Sequence, residues 1–230
     1  MILKNKAPLL FGAKRIGDVV SIYTKEQNRN RRRREARFLG CGKFTCAFSL
    51  TTDPSKVFLY TFYGDHSKDI LAYARKLRNP HLPVIDKVGD IDHKGLDVQV
   101  YLTKLYKMAP TRADMGEVNY MIMKALQLAH RMADAAIKGD LITNLTVHAF
   151  NEHVVNNARV HDNVKLALEH IHHSCANWGD HYLFDDFRKA NLGLDHKNNL
   201  VLVDPIFDAE KVYNDVLARM EATKLFKNQK

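Results

Sequence analysis

The chain has 230 residues, 46% of them hydrophobic, so it can form one substantial domain or two small lobes around a cleft. No stretch approaches the apolar length of a membrane span, and the apolar patch near the start is too short for a signal peptide. The three cysteines, Cys41, Cys46 and Cys175, are odd in number and lack a paired metal-binding spacing, which favours a reducing compartment. We therefore expect a cytosolic protein without a membrane partner.

The net charge of +9 is concentrated near the start, where Arg29 to Arg37 holds six arginines and one glutamate. Residues 1–37 are predicted to form a basic leader. Such a run could contact nucleic acid or an acidic protein surface. We favour a solvated arm, because charge runs usually have that role and no aromatic residue interleaves this one for base stacking.

The segment FLGCGKFTCAFSL, which starts at residue 38, predicts two strands joined by a glycine turn. Gly40 and Gly42 flank one residue, and glycines let backbone amides approach a phosphate closely because no side chain intervenes. Lys43 follows at the tip of the turn, and Ala47 lies in the second strand. A plain hairpin turn is the alternative, and the GxG pair alone does not decide between the two.

The next elements predict a small sheet with one short helix. Residues 56–62 (KVFLYTF) are apolar on both faces, as expected of a central strand. A helix is predicted over 65–78, with Asp65 or Ser67 as its cap. The segments 84–88 and 97–103 then complete the sheet, since apolar residues alternate in the second of them.

A hinge is predicted at 108–111, and the pattern becomes helical from Thr111 onward. Thr111 and Asp114 have the spacing of a capping box, and Gly139 is a plausible stop. Six apolar residues line one face of this helix, and a Met-rich stripe of that kind predicts core packing; they are Val118, Met121, Ile122, Ala125, Ala129 and Met132. Residues 140–160 are polar and carry no clear pattern.

A second helix is predicted over 162–178, with Gly179 as its C-terminal cap. Apolar residues step along one side of it: Val164, Leu168, Ile171, Cys175 and Trp178. His170, His172 and His173 alternate around the same helix. Because neighbours two residues apart cannot converge on one ion, we expect surface histidines and no metal there.

The stretch YLFDDFRKANLGLDHKNNLVLVDPI, from residue 182, carries the strongest functional pattern. Asn191 lies five residues after Asp186, and Asp204 thirteen after Asn191. The segments 192–194 and 200–203 predict two short strands joined by a turn at 196–199, where asparagine tolerates a left-handed conformation. A tight hairpin would bring Asn191 and Asp204 together, and oxygen ligands at a rigid edge suit Mg²⁺. Asp186 would then be placed to orient or deprotonate a hydroxyl nucleophile. A solvated turn between edge strands is the alternative.

The end of the chain predicts one closing amphipathic helix, whose apolar positions are Val212, Tyr213, Val216, Leu217 and Met220.

Taken together, the glycine turn and the spacing of Asp186, Asn191 and Asp204 resemble the early serine/threonine protein kinases of short-tailed lytic phages (autographiviruses). The resemblance covers about residues 38–208. It implies an α+β, protein-kinase-like bilobal fold: a small antiparallel N-lobe sheet over 38–108, a truncated and mostly helical C-lobe over 109–230, and nucleotide between them.

The resemblance also implies roles for individual residues. Asp186 matches the catalytic base, and Arg188 matches the basic residue that neutralises the transferring phosphoryl group. Asn191 and Asp204 match the magnesium ligands. Gly40, Gly42, Lys43 and Ala47 belong to the nucleotide-binding hairpin. The implied cofactors are ATP and Mg²⁺.

Several positions depart from the family pattern. Leu59 stands where the lysine that grips the α- and β-phosphates belongs. Lys43 or Lys104 could take its place, whereas Lys56 faces the other way. The helix over 65–78 has no glutamate to pair with that lysine, and Asp69 is the nearest candidate. Asp185 replaces an arginine that reads a phosphorylated activation loop, so we expect no such switching.

Three interpretations therefore stay open. The first is a phage kinase that transfers phosphate from ATP to Ser or Thr of host bacterial proteins, with a feeble nucleotide grip. The second is a pseudokinase that blocks a host enzyme, such as RNA polymerase or a defence factor, by direct binding. The third and least favoured makes the arginine arm primary, for binding nucleic acid or RNA polymerase. All three predict a protein of the infected host's cytoplasm.

Overall fold

A computed structural model describes residues 36–41, 45–50, 53–62, 65–93, 96–137, 144–179, 181–212 and 214. These residues separate into two compact units. The first contains the described residues of 1–75 together with Pro83–Tyr106, and the second contains Lys76–Leu82 and the described residues from Lys107 onward. Nearly all of the basic leader, Gly42, Lys43 and most of the predicted closing helix lie outside the described residues.

The first unit is built on a five-stranded antiparallel sheet. Its strands are β1 (Ala36–Cys41), β2 (Thr45–Leu50), β3 (Lys56–Phe62), β4 (Ile85–His93) and β5 (Leu96–Lys104), in the order β1-β2-β3-β5-β4. The apolar segment 56–62 is the central strand, as predicted, since a strand covered on both faces needs apolar side chains on both.

Helix α1 (Ser67–Ala74) connects β3 to β4 and packs against β4. The N-cap residue is His66, so the prediction of Asp65 or Ser67 as the cap was wrong. The buried Asp65 carboxylate accepts hydrogen bonds from the backbone N–H and the hydroxyl of Ser67, at 3.0 Å each, at the start of the helix. Asp69 in the first turn lies within 2.9 Å of His66 Nδ1 and 3.6 Å of Lys87 Nζ. This polar cluster holds α1 to the sheet.

In the described part of the second unit, three helices have defined bounds: α2 (Arg112–Ile137), α3 (Asn144–Asn157) and α4 (Asp162–Cys175). Residues 209–212 are also helical. The predicted capping box is present at the start of α2. The Asp114 carboxylate accepts from the Thr111 N–H at 2.9 Å, and the Thr111 hydroxyl accepts from the Asp114 N–H at 3.2 Å. The helical path breaks once, at Gly116, whose φ of 67° is a conformation that side-chain-bearing residues avoid.

The apolar stripe predicted on α2 is not one buried face. Ile122 and Ala129 are buried, but Val118 is 71% exposed and Met121 57%. The interpretation of the whole stripe as core was therefore wrong. A buried face and an exposed face, both apolar, lie close together on α2. Helical periodicity alone does not distinguish the residues of one face from those of the other.

Helix α3 lies in the segment 140–160, for which no element was predicted, whereas the prediction of α4 is confirmed. Four residues of the predicted α4 side are buried: Val164, Leu168, Ile171 and Cys175. The helix ends at Cys175, so Trp178 lies beyond it. The spacing of apolar residues predicted α4. The many polar residues of α3 left no apolar pattern from which its buried positions could be predicted.

Short strands complete the second unit. Strands β7 (Tyr182–Phe184) and β10 (Ile206–Asp208) form one antiparallel pair, and β6 (Lys107–Met108), β8 (Leu192–Leu194) and β9 (Leu200–Leu202) form a second sheet in the order β6-β8-β9. The predicted hairpin is thus confirmed as β8–β9. Asn198 in its turn has φ of 63°, the left-handed conformation expected for an asparagine there.

These elements define an α+β protein with a small antiparallel sheet and several helices. Among the described residues, no helix is both long and apolar enough to cross a bilayer.

The cysteines differ from expectation. Cys46 is disulfide-bonded and stands opposite Cys41 in the β1–β2 register, whereas Cys175 is a free buried thiol whose pKa burial raises to about 12. An odd number of cysteines therefore does not exclude a disulfide, because one residue can remain unpaired.

Within the second unit, His81 ties the segment Lys76–Leu82 to the hairpin. Its Nδ1 donates to the Leu200 carbonyl at 2.7 Å, and its own carbonyl accepts from the Leu202 N–H at 2.9 Å. The ring also lies 5.0 Å from that of His161. Burial lowers the pKa of His81, against the opposing effect of the Leu200 hydrogen bond. The segment thus extends the edge of β9 through a buried, neutral histidine.

We predict that His81 makes the protein acid-sensitive. As pH falls below the ordinary histidine pKa of about 6.5, the unfolded chain binds a proton before folded His81 does, so stability falls until the lowered pKa is reached. The His81→Asn variant keeps an amide donor for Leu200 but does not titrate there. Urea unfolding at pH 7.5, 6.5 and 5.5 should show a smaller loss of stability in this variant. The exposed His196→Asn is the control, and equal pH dependence in wild type and His81→Asn would contradict the assignment.

Candidate functional site

The hairpin β8–β9 brings Asn191 and Asp204 together at its open end. The carbonyl oxygen of Asn191 accepts hydrogen bonds from the N–H groups of Val203 and Asp204, both at 3.0 Å. Residues separated by thirteen positions in the chain are thereby adjacent. The strands between them are buried, so the edge that carries the two side chains is anchored in the core.

Asp186 lies in the loop between β7 and β8 and is paired with Arg188. The Arg188 Nε lies 2.7 Å and 2.6 Å from the two carboxylate oxygens of Asp186, and the Arg188 N–H donates to the same carboxylate at 3.3 Å. The Asp186 carboxylate raises the pKa of Arg188. The loop therefore presents a carboxylate and a guanidinium side by side, both partly open to solvent.

Asp185 is a functional candidate that the sequence did not single out. One carboxylate oxygen accepts from the Asn191 Nδ2 at 2.8 Å, and the other accepts from the Asp186 N–H at 2.7 Å. Burial, together with the neighbouring Asp186 charge, raises the pKa of Asp185, although the hydrogen bond from the Asp186 N–H opposes this. The only signal in the sequence was a second acid beside Asp186, and adjacency alone does not show which carboxylate turns inward.

The Asp185–Asn191 contact has a chemical consequence. Because the amide nitrogen of Asn191 is engaged by a carboxylate, the amide oxygen is the atom left to face another ligand. An amide can coordinate a cation only through that oxygen. Asp185 therefore holds the amide nitrogen of Asn191 and leaves its amide oxygen available as a cation ligand beside Asp204.

Two amide side chains hold the loop from outside. Asn151 on α3 donates to the Tyr182 carbonyl at 2.7 Å and accepts from the Phe184 N–H at 3.0 Å, which fixes β7. Gln127 on α2 donates to the carbonyl of Phe187 at 3.2 Å. Phe187 is fully buried and has φ of 51°, so the loop turns sharply on a residue anchored in the core. Asn151 was also missed from sequence, because it lies on the unassigned helix.

The donor set suits a hard cation only in part. Asn191 and Asp204 offer oxygen atoms, the ligand type that Mg²⁺ prefers, and Mg²⁺ commonly takes its remaining ligands from water and phosphate. Across the described ranges, no group of three or more His, Cys, Asp or Glu side chains could hold an ion unaided. The residues fit a cation that arrives with a phosphate and do not fit an all-protein metal cage.

The described part of the glycine hairpin lies in the first unit. Gly40 pairs with Ala47 in the β1–β2 register, directly after an irregularity at Phe38. Among the described residues, none has an atom within 4 Å of the position that a Gly40 Cβ would take. Gly42 and Lys43 lie outside the described residues, so the expected convergence of this hairpin with Asp186 stays a prediction.

Leu59 belongs to a row of cross-strand partners. Reading across the sheet, the row is Gly40, Ala47, Leu59, Tyr101 and Lys87. Partners directly opposite one another point to the same face. Leu59 thus shares its face with Ala47, and both are half-buried.

The register also bears on the lysines proposed as substitutes for the missing one. Lys104 pairs directly with Lys56, three residues before Leu59 in β3, so it projects from the opposite face. This argues against Lys104. Lys87 lies on the same face of the sheet as Leu59. It is two strands away, however, and forms ion pairs with Asp69 and Asp90. On these strands, Lys56 and Lys104 therefore project from the face opposite Leu59, and Lys87 shares its face.

No family model matches the chain, and no curated protein is significantly similar to it.

We predict different stability effects at the two adjacent carboxylates. Replacing Asp185 with alanine leaves the Asn191 amide and the Asp186 N–H without their partner, which should cost about 1–3 kcal/mol in the free energy of unfolding. Asp186→Ala removes a pair whose arginine is 70% exposed, so it should cost about 1 kcal/mol or less. Urea unfolding at pH 7 measures both. A larger loss in Asp186→Ala than in Asp185→Ala would reverse the structural roles assigned here.

Proposed function

We propose that this chain is a protein-kinase-like phosphotransferase of phage origin that transfers phosphate from ATP to serine or threonine of host bacterial proteins. The observation that carries the proposal is the junction of Asn191 and Asp204 at the end of the hairpin, five residues after Asp186. The proposal is also supported by a five-stranded antiparallel unit with one helix between its third and fourth strands, and by a mostly helical unit that carries the loop. The protein would act in the cytoplasm of the infected host.

Each residue has a defined part in this mechanism. Asn191, through its amide oxygen, and Asp204 would hold Mg²⁺, which when bound neutralises the phosphate charge. Asp186 would orient the substrate hydroxyl and accept its proton as the oxygen attacks the γ-phosphorus and the bond to ADP breaks. Arg188 would then stabilise the charge on the transferring group. Since Arg188 neutralises Asp186 in this structure, it must release part of that carboxylate for the proton transfer.

Leu59, at the position where the resemblance expects the phosphate-gripping lysine, would limit the rate. A charge-assisted contact of that kind is commonly worth about 2–4 kcal/mol of transition-state stabilisation, which is a few orders of magnitude in rate. Leu59 offers apolar surface in its place. We therefore propose a slow kinase in which the magnesium ligands and the glycine hairpin supply most of the nucleotide binding.

A second candidate function is that of a pseudokinase that inhibits a host enzyme, RNA polymerase or a defence factor among them, by direct binding. Two observations favour it. Leu59 puts an apolar side chain in the row that would face the nucleotide, and Arg188 engages the Asp186 carboxylate, which the base would need free. In this alternative the loop and hairpin serve as a rigid surface and catalyse nothing. Nucleic-acid binding through Arg29 to Arg37 stays the least favoured alternative.

We predict that label transfer from radiolabelled ATP to proteins of a bacterial lysate requires Mg²⁺ and falls at least roughly hundredfold in Asp186→Ala, because a general base commonly contributes that much. Asp134→Ala, an exposed carboxylate on α2, is the matched control and should retain activity. Transfer that persists in Asp186→Ala would refute the assigned base. Absence of transfer in wild type, with Mg²⁺-independent binding to a lysate protein, would favour the pseudokinase.

A second prediction concerns the missing lysine. Leu59→Lys places an ammonium group on the face that also carries Ala47, and one added charge-assisted contact should tighten ATP–Mg²⁺ binding about tenfold. Calorimetric titration measures the change. Phe58→Lys is the control, because it places the same charge on the opposite face of the same strand. If both variants bind ATP equally, the nucleotide does not occupy the Leu59 face.

A further inference from the structure

Helix α2 carries a row of large apolar side chains that its own unit leaves exposed. Val118 is 71% exposed, Met121 57%, Leu128 50% and Met132 44%, and Ala125 between them is half-buried. We call these five residues the α2 seam. Isolated exposed apolar residues are common on protein surfaces, but a contiguous row on one element usually marks an interaction site.

The spacing of the α2 seam is that of a coiled-coil contact. Successive members are separated by three, four, three and four residues, which is the a and d pattern of a heptad repeat. All five lie after Gly116, where the helical path is unbroken. The row is therefore a straight ridge along one side of the helix, suited to a second helix and not to a small ligand.

The seam is separate from the face that holds α2 in its unit. After Gly116, that face includes five fully or largely buried residues: Ile122, Met123, Leu126, Ala129 and Ala133. A third side contacts the loop and the hairpin turn, through Gln127 and through Asn119, whose amide donates to the carbonyl of Asn198 at 2.8 Å. These two roles account for the residues named here and leave the seam unexplained.

Charge selects the occupant. Lys124 and Arg131, both exposed, lie one heptad apart along the free border of the seam. Glu117, the acid on the same border, is paired with Arg112 at 3.1 Å. A helix that covers the seam would place its own flanking residues beside two cations, so acidic flanking residues are favoured.

The same charges disfavour two other occupants. In the antiparallel self-pairing that engages the whole seam, Lys124 of each copy would face Arg131 of the other, and a parallel pairing offers these cations no acidic partner. The parts of this chain outside the described residues are also basic. Residues 1–35 contain five of the six arginines of the run, and residues 215–230 hold one arginine and three lysines against one aspartate and one glutamate.

We propose that the α2 seam docks an amphipathic helix of another protein, with apolar residues at heptad spacing and acidic residues beside them. The contact would be a two-helix coiled coil in which Met121 and Leu128 are the central knobs. It is independent of phosphoryl transfer, because none of its residues belongs to the loop or the hairpin.

The test uses the full chain and two synthetic helical peptides of three heptads, with leucine at a and d. One peptide has glutamate at e and g, and the other has lysine there. Like charges keep each peptide from pairing with itself. Fluorescence anisotropy at low and at physiological salt should show binding of the glutamate peptide at least tenfold tighter than that of the lysine peptide, with the difference shrinking at higher salt.

Substitutions then locate the contact. Leu128→Glu should weaken binding of the glutamate peptide at least tenfold, whereas Leu166→Glu, on an exposed leucine of α4, should change it less than twofold. Val118→Glu, at the most exposed seam position, repeats the test if Leu128→Glu lowers the melting temperature. The double variant Lys124→Glu with Arg131→Glu should transfer the preference to the lysine peptide.

Three results would overturn the proposal. They are equal binding of both peptides, binding that Leu128→Glu and Val118→Glu leave unchanged, and sedimentation of the chain alone as a dimer that Leu128→Glu dissociates. The last would assign the seam to a second copy.

Discussion

The carbonyl oxygen of Asn191 accepts two backbone hydrogen bonds from the opposite end of the hairpin, and the candidate site depends on them. Asn191 and Asp204 are thirteen residues apart in the chain, so a rigid connection is needed to keep their side chains aligned. A free loop of that length would sample many conformations and would not keep them aligned. Here the connection is a pair of fully buried strands. Their apolar burial stabilises the hairpin, so Asn191 and Asp204 can remain polar and partly exposed at its edge.

Around that edge, two adjacent carboxylates have different environments. Asp185 turns toward Asn191 and is half-buried, while Asp186 turns toward Arg188 and solvent. Asp185 holds the amide nitrogen of Asn191, and Asp186 is paired with a cation. This division is compatible with the proposed slow phosphotransferase. It is equally compatible with the proposed alternative, in which the rigid loop serves for binding alone.

Helix α2 both supports the candidate site and carries the surface proposed for partner recognition. One side packs in the unit, a second donates to the loop and the hairpin turn, and a third presents the α2 seam beside Lys124 and Arg131. A partner helix on the seam would stiffen the element that supports Phe187. Whether the protein acts by catalysis or by contact, the seam offers a means of choosing a target that does not draw on the candidate site.

The sequence by itself determined the local elements and the pattern of the site. Strand β3, the capping box at Thr111 and Asp114, the buried side of α4 and the β8–β9 hairpin all follow from short-range periodicity and turn chemistry, which act within a few residues. The spacing of Asn191 and Asp204 likewise implied a junction, which the hairpin provides.

Only the tertiary structure decided what covers each surface. It separated the apolar residues of α2 into a buried face and an exposed seam. It placed α3 in a polar stretch and selected Asp185 as the partner of Asn191. The β3–β5 register also set Lys104 on the face opposite Leu59. These outcomes depend on contacts between segments far apart in the chain. The residues next to each position in the sequence do not predict such contacts.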